Sequence, residues 1–161
     1  MASRVLFVFL AVLGSSCGLA APPSDSKVVS ELLAHRQEIE VLVQMIRADK
    51  VLLRVDSDWT MPANPTAVGV AAQRIEEYRR LLRKVGYPRG FYYRPETGEI
   101  EFVAWASGTV ASGGSKSVVY SPQRLGPIVA DTSDPVPSRP DGSRLAYREI
   151  ASNWYIQFQE N

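Results

Sequence analysis

Residues 99–122, reading EIEFVAWASGTVASGGSKSVVYSP, predict two β-strands joined by a segment rich in glycine and serine. In residues 99–107 the side chains alternate between two sets, Ile100, Phe102 and Ala104 on one parity and Glu101, Val103 and Trp105 on the other. This is the period of a strand with one apolar face and one mixed face. Residues 116–120 repeat the β-branched and aromatic signature, and Pro122 ends it because proline donates no ladder hydrogen bond. We expect the two strands to pair and to form the centre of a sheet.

The segment between these strands, 107–117, predicts a flexible hairpin loop. Gly113 and Gly114 allow positive φ and a close approach to a ligand. The spacing of Gly108 and Gly113 is that of a phosphate-binding loop, but Lys116 follows two residues too late and a strand replaces the helix which that motif requires. The pattern therefore gives no support to a nucleotide site, and we expect no cofactor.

The N-terminal residues 1–20 have the organisation of a bacterial export signal. Arg4 supplies the positive charge, an apolar run covers residues 5–13, and small residues follow. The run is too short for a permanent transmembrane helix, which needs about 20 apolar residues. We expect an exported protein, located in the periplasm or at the outer membrane, or else secreted.

Cys17, the single cysteine of the chain, lies at the end of this signal. The tract Leu13-Gly14-Ser15-Ser16-Cys17 resembles a bacterial lipobox, in which the cysteine becomes the acylated first residue of a lipoprotein. It differs from the commonest form because leucine stands four residues before the cysteine instead of three. The alternative is conventional cleavage after Ala20, which would discard the cysteine. The sequence leaves both open, and either way the mature fold has no intramolecular disulfide, which favours a bacterial or phage-encoded protein.

The charges exclude two classes of partner. The chain carries 18 Lys and Arg against 17 Asp and Glu, and Arg4 belongs to the signal, so the mature protein is formally neutral. Nucleic-acid binding and electrostatic attachment to anionic membranes both need a basic excess. We therefore expect no nucleic-acid partner and contact with a membrane only through an N-terminal lipid anchor.

The pattern along the remaining chain predicts one α+β domain. Residues 21–26 are small, polar and proline-bearing, as a short tether would be, and residues 27–161 form the domain. Two amphipathic helices are expected, the first from Ser24 or Ser26 to about Ile46 and the second from Asn64-Pro65 to about Val85. Strands follow at about 90–94, in the central pair, and in a final hairpin of 145–150 and 154–160. We expect both helices to pack across one face of an antiparallel meander of about five strands.

No catalytic or metal-binding constellation stands out in the sequence. His35 is the only histidine, and without cysteine ligands it cannot form a typical zinc site. Asp56 and Asp58 lie in a predicted turn, but no further oxygen ligands follow at the spacing of a calcium loop. Residues 123–144 are the longest irregular stretch, either functional or disordered. We expect no metal site and no catalytic residue.

The aromatic residues suggest a binding surface on the sheet. Tyrosine and tryptophan are enriched in recognition surfaces. By strand parity several of them fall on the side opposite the main apolar residues, and polar residues near the same end complete the predicted surface: Tyr92, Trp105, Ser115, Lys116, Arg124 and Tyr155.

The sequence thus favours a small, exported, non-enzymatic binding protein of the bacterial envelope. It would recognise a protein or a cell-wall component, as an inhibitor or immunity protein does, a class suggested by size and compartment. The alternatives are an envelope hydrolase acting on peptidoglycan or lipid, and a structural subunit that assembles through sheet edges.

Overall fold

The computed structural model describes residues 21–109 and 112–161, and the export signal with Cys17 lies outside them. Within these ranges the chain forms three α-helices, one short 3₁₀ helix and a seven-stranded antiparallel sheet. The helices are α1 (Asp25–Ala34), α2 (Arg36–Ala48), the 3₁₀ helix Pro65–Val68, and α3 (Ala72–Lys84). The strands are β1 (Arg54–Val55), β2 (Thr60–Met61), β3 (Phe91–Arg94), β4 (Glu99–Thr109), β5 (Ser112–Tyr120), β6 (Arg144–Ala151) and β7 (Trp154–Glu160). The α+β class predicted from the sequence is confirmed.

Both predicted helices are divided in the structure. The first is interrupted at His35, whose φ of −121° and ψ of 25° separate α1 from α2. At the second, the side chain of Asn64 caps the 3₁₀ helix by accepting a hydrogen bond from the backbone N–H of Ala67. Gly69 then adopts a left-handed conformation with φ of 86°, which ends that helix because an α-helix cannot continue through it.

The sheet has the strand order β2-β1-β3-β4-β5-β7-β6. This departs from the predicted simple meander, since β7 lies between β5 and β6. The two short strands β1 and β2, which the sequence pattern did not reveal, form a hairpin at one edge. The final hairpin of β6 and β7 is as predicted.

The main core lies between the helices and one side of the sheet. Its side chains come from all three helices and from alternate positions of the central strands, and the largest fully buried ones are Ile39, Leu42, Ile46, Leu52, Tyr78, Leu82, Tyr87, Phe91, Ile100, Phe102 and Ile156. Tyr78 packs against Phe91 with ring centroids 5.4 Å apart, and Tyr87 stacks on Phe102 at 5.8 Å. These pairs join α3, the segment after it, and the sheet.

The central hairpin is longer than predicted, because the glycine-rich segment belongs to the strands. Ser107 pairs with Gly114 and Gly108 with Gly113, so the prediction of a flexible loop over residues 107–117 is wrong. A Cβ at position 114 would lie 3.1 Å from the Trp105 ring, so a larger residue there would require the indole to shift.

The opposite side of the sheet is partly covered by the chain that follows β5. Val119, Tyr147 and Tyr155 form a second, smaller core there, with Leu125 packed against it. The segment then runs parallel to β6, where the N–H of Tyr147 donates to the carbonyl of Pro127 at 2.9 Å. Part of the irregular stretch 123–144 thus belongs to the fold, which accounts for its apolar residues.

Candidate functional site

Two of the predicted surface residues, Tyr92 and Tyr155, lie on the side of the sheet away from the helices, as expected. Tyr92 is 39% exposed, whereas Tyr155 is only 4% exposed because it belongs to the second core under the segment after β5. Tyr155 is thus placed on the predicted side but is not accessible. Of the two, only Tyr92 contributes an exposed ring.

Trp105 lies on the other side of the sheet. A register shift between Val103 and Trp105 makes Trp105 the direct cross-strand partner of Lys116, and directly opposed residues share a face. Lys116 has the same parity as Val118, which belongs to the main core. The parity prediction for Trp105 is wrong because a bulge inserts one residue into the alternation.

Lys116 was expected on the surface but is only 1% exposed. Its ammonium group donates to the carbonyl of Pro23 at 2.7 Å and lies 2.7 Å from Oδ1 of Asp25, which is fully buried. This placement contradicts the prediction of an accessible lysine. The charge is tolerated because it is paired and hydrogen-bonded.

Asp25 is the centre of this buried group. Besides the lysine, it accepts hydrogen bonds from the backbone N–H and the hydroxyl of Thr132 and from Arg148, at 3.4 Å for the latter. Burial alone would raise the pKa of Asp25, but the hydrogen bonds from Lys116 and Thr132 lower it below its usual range. Asp25 is also the first residue of α1, so part of the predicted tether 21–26 is held in the fold.

The remaining two predicted residues lie elsewhere. Ser115 is half-buried within β5, opposite Ala106 on one strand and Gln159 on the other. Arg124 is exposed in the segment after β5. The six residues therefore do not form one surface.

A different group, which we call the aromatic patch, lies at the β2 edge of the sheet and consists of a buried arginine with three exposed side chains around it: Arg54, Trp59, Met61 and Tyr92. Arg54 on β1 is directly opposite Met61 on β2 and Tyr92 on β3, so the three share one face. Its guanidinium carbon lies 3.6 Å from the centroid of the Tyr92 ring and 4.5 Å from that of Trp59. Trp59 is 44% and Met61 47% exposed. The patch thus consists of exposed apolar groups around one fixed cation.

The conformation of the patch follows from the turn between β1 and β2. Asp56 closes the turn, since its N–H donates to the carbonyl of Trp59 at 2.9 Å and its carboxylate accepts the N–H of Ser57 at 2.7 Å. The same carboxylate accepts two hydrogen bonds from Arg54. Burial tends to raise the pKa of Asp56, but the bonds from Arg54 and Ser57 lower it, so the carboxylate stays charged at neutral pH.

A glycine next to β3 allows the patch to assemble. Gly90 has φ of 80°, and a Cβ there would lie 1.7 Å from the carbonyl oxygen of Val55. No other residue fits this close approach of two backbones. Gly90 therefore permits β3 to lie against β1, which brings Tyr92 onto Arg54.

A cleft of about 370 Å³ adjoins the patch between β2, the 3₁₀ helix and α3. Trp59 lines it together with buried Ile75 and with Thr60. Its charged lining residues are Asp58, Glu76 and Arg79. Arg79 donates to Glu76 at 2.9 Å and to the backbone carbonyl of Asp56 at 3.1 Å.

A group of charges around Arg94 lies on the same side of the sheet as Tyr92, since Glu101 is the cross-strand partner of Tyr92 and Glu99 that of Arg94. Arg94 pairs with Glu99 and with Glu101, the latter at 3.1 Å, and Glu101 accepts a hydrogen bond from Ser117 at 2.7 Å. Burial, together with the neighbouring Glu101, raises the pKa of Glu99, although Arg94 opposes this. Both carboxylates are buried and already bonded within the sheet, so this group is a structural network rather than a substrate site.

Sequence reasoning placed the aspartates 56 and 58 in a turn but did not assign the patch. The sequence feature that could have indicated the patch is Trp59, directly after this turn. Few residues lie close enough to a tight turn to bury an indole beside it. Arg54 gave no signal, because its contact with Tyr92 depends on pairing with a residue 38 positions later in the chain.

In comparisons with protein-family models, with curated proteins and with solved structures, no match to this chain was found. Among residues 21–109 and 112–161, no helix has the length and apolar character needed to cross a bilayer. The same residues include no group of three or more histidine, cysteine or carboxylate side chains arranged to hold a metal ion.

Proposed function

We propose that this chain is a small, exported, non-enzymatic binding protein of the bacterial envelope that recognises another protein through the aromatic patch. The observation that carries the proposal is the exposure of Trp59, Met61 and Tyr92 around Arg54. Tryptophan, tyrosine and arginine are the residues that dominate the binding energy of protein interfaces, and methionine is enriched in them.

The rigidity of the patch adds to this support. Arg54 is held by Asp56 and lies between two rings, so little side-chain freedom is left to lose when a partner binds. A surface already ordered in the free protein binds more tightly for the same contact area. Exposed rings that served only packing would gain nothing from such an arrangement.

The proposed location rests on the signal-like residues 1–20. Acylation at Cys17 would anchor the protein to a membrane of the envelope, whereas cleavage after Ala20 would release it to the periplasm or the medium. In either place an inhibitor or an immunity protein, acting against a toxin or a lytic enzyme, fits the size of the domain and a surface suited to a protein partner.

Site-specific photocrosslinking in the native bacterium tests the proposal. A benzoylphenylalanine photocrosslinker replaces Met61 in one variant and Ile128 in a control variant. Both residues are exposed, and Ile128 lies beyond β6 at the far edge of the sheet. We expect position 61 to yield one discrete crosslinked protein, and we expect that product to disappear when Tyr92→Ala is added.

Three outcomes would overturn the proposal. Identical products at positions 61 and 128 would show non-specific contact, and no product at position 61 would show that the patch has no protein partner. A product with the mass of two copies of this chain would favour the structural subunit. The hydrolase alternative is tested separately, by release of soluble fragments from purified peptidoglycan or of fatty acid from lipid vesicles.

A further inference from the structure

The cleft beside the aromatic patch is lined by apolar side chains and by two exposed carboxylates. Ile75 is buried and, with Ala72 of α3 and the indole of Trp59, supplies apolar lining. Asp58 and Glu76 are both exposed at the same cleft. A ligand that fills the cleft therefore contacts apolar side chains and lies close to two carboxylates.

Among residues 21–109 and 112–161, Arg79 is the one cation that lines the cleft, and it is already neutralised. Arg79 forms an ion pair with Glu76 and also donates to a backbone carbonyl. Asp58 accepts a hydrogen bond only from the hydroxyl of Ser57, at 3.1 Å, and within residues 21–109 and 112–161 no lysine or arginine is paired with it. The lining carries two carboxylates against one guanidinium, a net charge of −1.

We infer that the cleft receives a lysine or arginine side chain of the protein partner. Such a side chain has an aliphatic stem, which fits the apolar lining, and a cationic end, which Asp58 would meet. An acidic side chain would be repelled, and a purely aliphatic one would leave Asp58 without a partner. Charge complementarity of this kind also guides the encounter of two proteins.

Continuity with the aromatic patch supports the same occupant. Trp59 contacts Arg54 with one face of its indole and also lines the cleft. A partner segment that covers Trp59 in the patch therefore also lies beside the cleft. This inference rests on the proposed function, because it names a feature of the protein that the patch would bind.

Nuclear magnetic resonance titration of the purified exported protein tests the cleft directly. The probes are four acetylated, amidated pentapeptides with glycine at every position except the centre, which is lysine, arginine, norleucine or glutamate. The signal is the indole N–H of Trp59, assigned with Trp59→Phe, while those of Trp105 and Trp154 serve as internal references. We expect the lysine and arginine peptides to shift this signal saturably at millimolar concentration and to bind about fivefold more tightly than norleucine.

Matched variants separate charge from general surface effects. Asp58→Asn should weaken the lysine and arginine peptides about threefold, whereas Asp134→Asn, an equal change at an exposed carboxylate on the loop before β6, should leave them unchanged. Raising the salt concentration should reduce the difference between the lysine and norleucine peptides. Equal binding of lysine and norleucine, or no effect of Asp58→Asn, would overturn the inference.

The two proposals fail in distinguishable ways. If the crosslink at position 61 is found but the peptides do not discriminate by charge, the patch is a binding surface and the cleft inference is wrong. If the basic peptides bind as expected but no crosslink forms, the protein-binding function is wrong and the cleft only has an affinity for isolated cations, which likewise overturns the inference about a protein partner.

Discussion

The ion pairs of Lys116 with Asp25 and of Arg54 with Asp56 lie at different places in the fold, and their surroundings differ. Lys116 and Asp25 are almost completely buried, and their partners, Pro23, Thr132 and Arg148, all belong to the chain itself. Arg54 also has an aspartate partner, but the two rings that flank it are exposed. The first group has all its partners within the fold, whereas the second leaves the side chains of Trp59, Met61 and Tyr92 exposed.

This difference gives a way to distinguish charged residues that stabilise the fold from charged residues that order a binding surface when no ligand is known. A buried charge whose hydrogen-bond and ion-pair partners all belong to the same chain favours one fold. Its hydrogen-bonding groups are already occupied, so it cannot bind a second molecule. A charge that orders exposed aromatic rings prepares a surface for binding. Exposure of the neighbouring side chains, rather than the charge itself, decides between the two.

The largest expected effect is that of removing Asp25. Asp25→Ala leaves Lys116 buried without its counter-charge, so we expect a loss of about 3–5 kcal/mol in the free energy of unfolding. Asp56→Ala should cost less, about 1–3 kcal/mol, because Arg54 keeps its contacts with the two rings. Urea denaturation followed by tryptophan fluorescence measures both, and equal losses would contradict the comparison. If Asp25→Ala does not fold, the loss in the free energy of unfolding is measured for the milder Asp25→Asn and compared with that for Asp56→Ala.

A smaller effect is expected from acid. The pKa of Asp25 is lower in the folded protein than in the unfolded chain, where it is about 3.9. The stabilisation is therefore complete above that value and is lost as the pH falls through the lower, folded pKa. We expect the difference in Tm between wild type and Asp25→Asn to be constant from pH 7 to 5 and to shrink below pH 4. A difference that stays constant down to pH 2.5 would show that this carboxylate does not titrate as proposed.

The smallest effect on stability is expected at the aromatic patch. Tyr92→Ala removes a half-exposed ring, so we expect it to lower the free energy of unfolding by no more than about 1 kcal/mol while abolishing the crosslink at position 61. The matched control is Tyr78→Ala, which removes a fully buried tyrosine and should cost about 3–5 kcal/mol. A comparable loss in the free energy of unfolding for Tyr92→Ala and Tyr78→Ala would show that Tyr92 belongs to the core and would contradict the proposed binding surface.

The sequence was sufficient for the class of fold and for the central and final hairpins. Alternation of side chains is a local property, so strands such as β4 and β7 are visible without tertiary information. It was insufficient where a single residue breaks the alternation. The bulge after Val103 moves Trp105 to the other face of the sheet. Gly114 is part of β5 rather than of a loop, and the indole of Trp105 packs against it.

The candidate site was less accessible to prediction, because its residues come together only through pairing of distant strands. Lys116 was predicted to be exposed, since nothing near it in the sequence indicates a partner 91 positions earlier. Arg54 and Tyr92 share a face only because Gly90 lets β3 lie close to β1. A sequence pattern identifies such residues as surface or core candidates, but it does not pair them.

The connections of Asp25 also bear on when the chain can fold. This residue stands near the N-terminal end of the described chain, yet the groups that neutralise it are Lys116, Thr132 and Arg148, and contacts over such separations form late. Until the C-terminal third has been synthesised, Asp25 lacks these three partners, so we expect α1 to dock on the sheet only late in translation. We therefore expect the first helix of the domain, which leaves the ribosome before the rest of the fold, to be among the last elements to reach its final place.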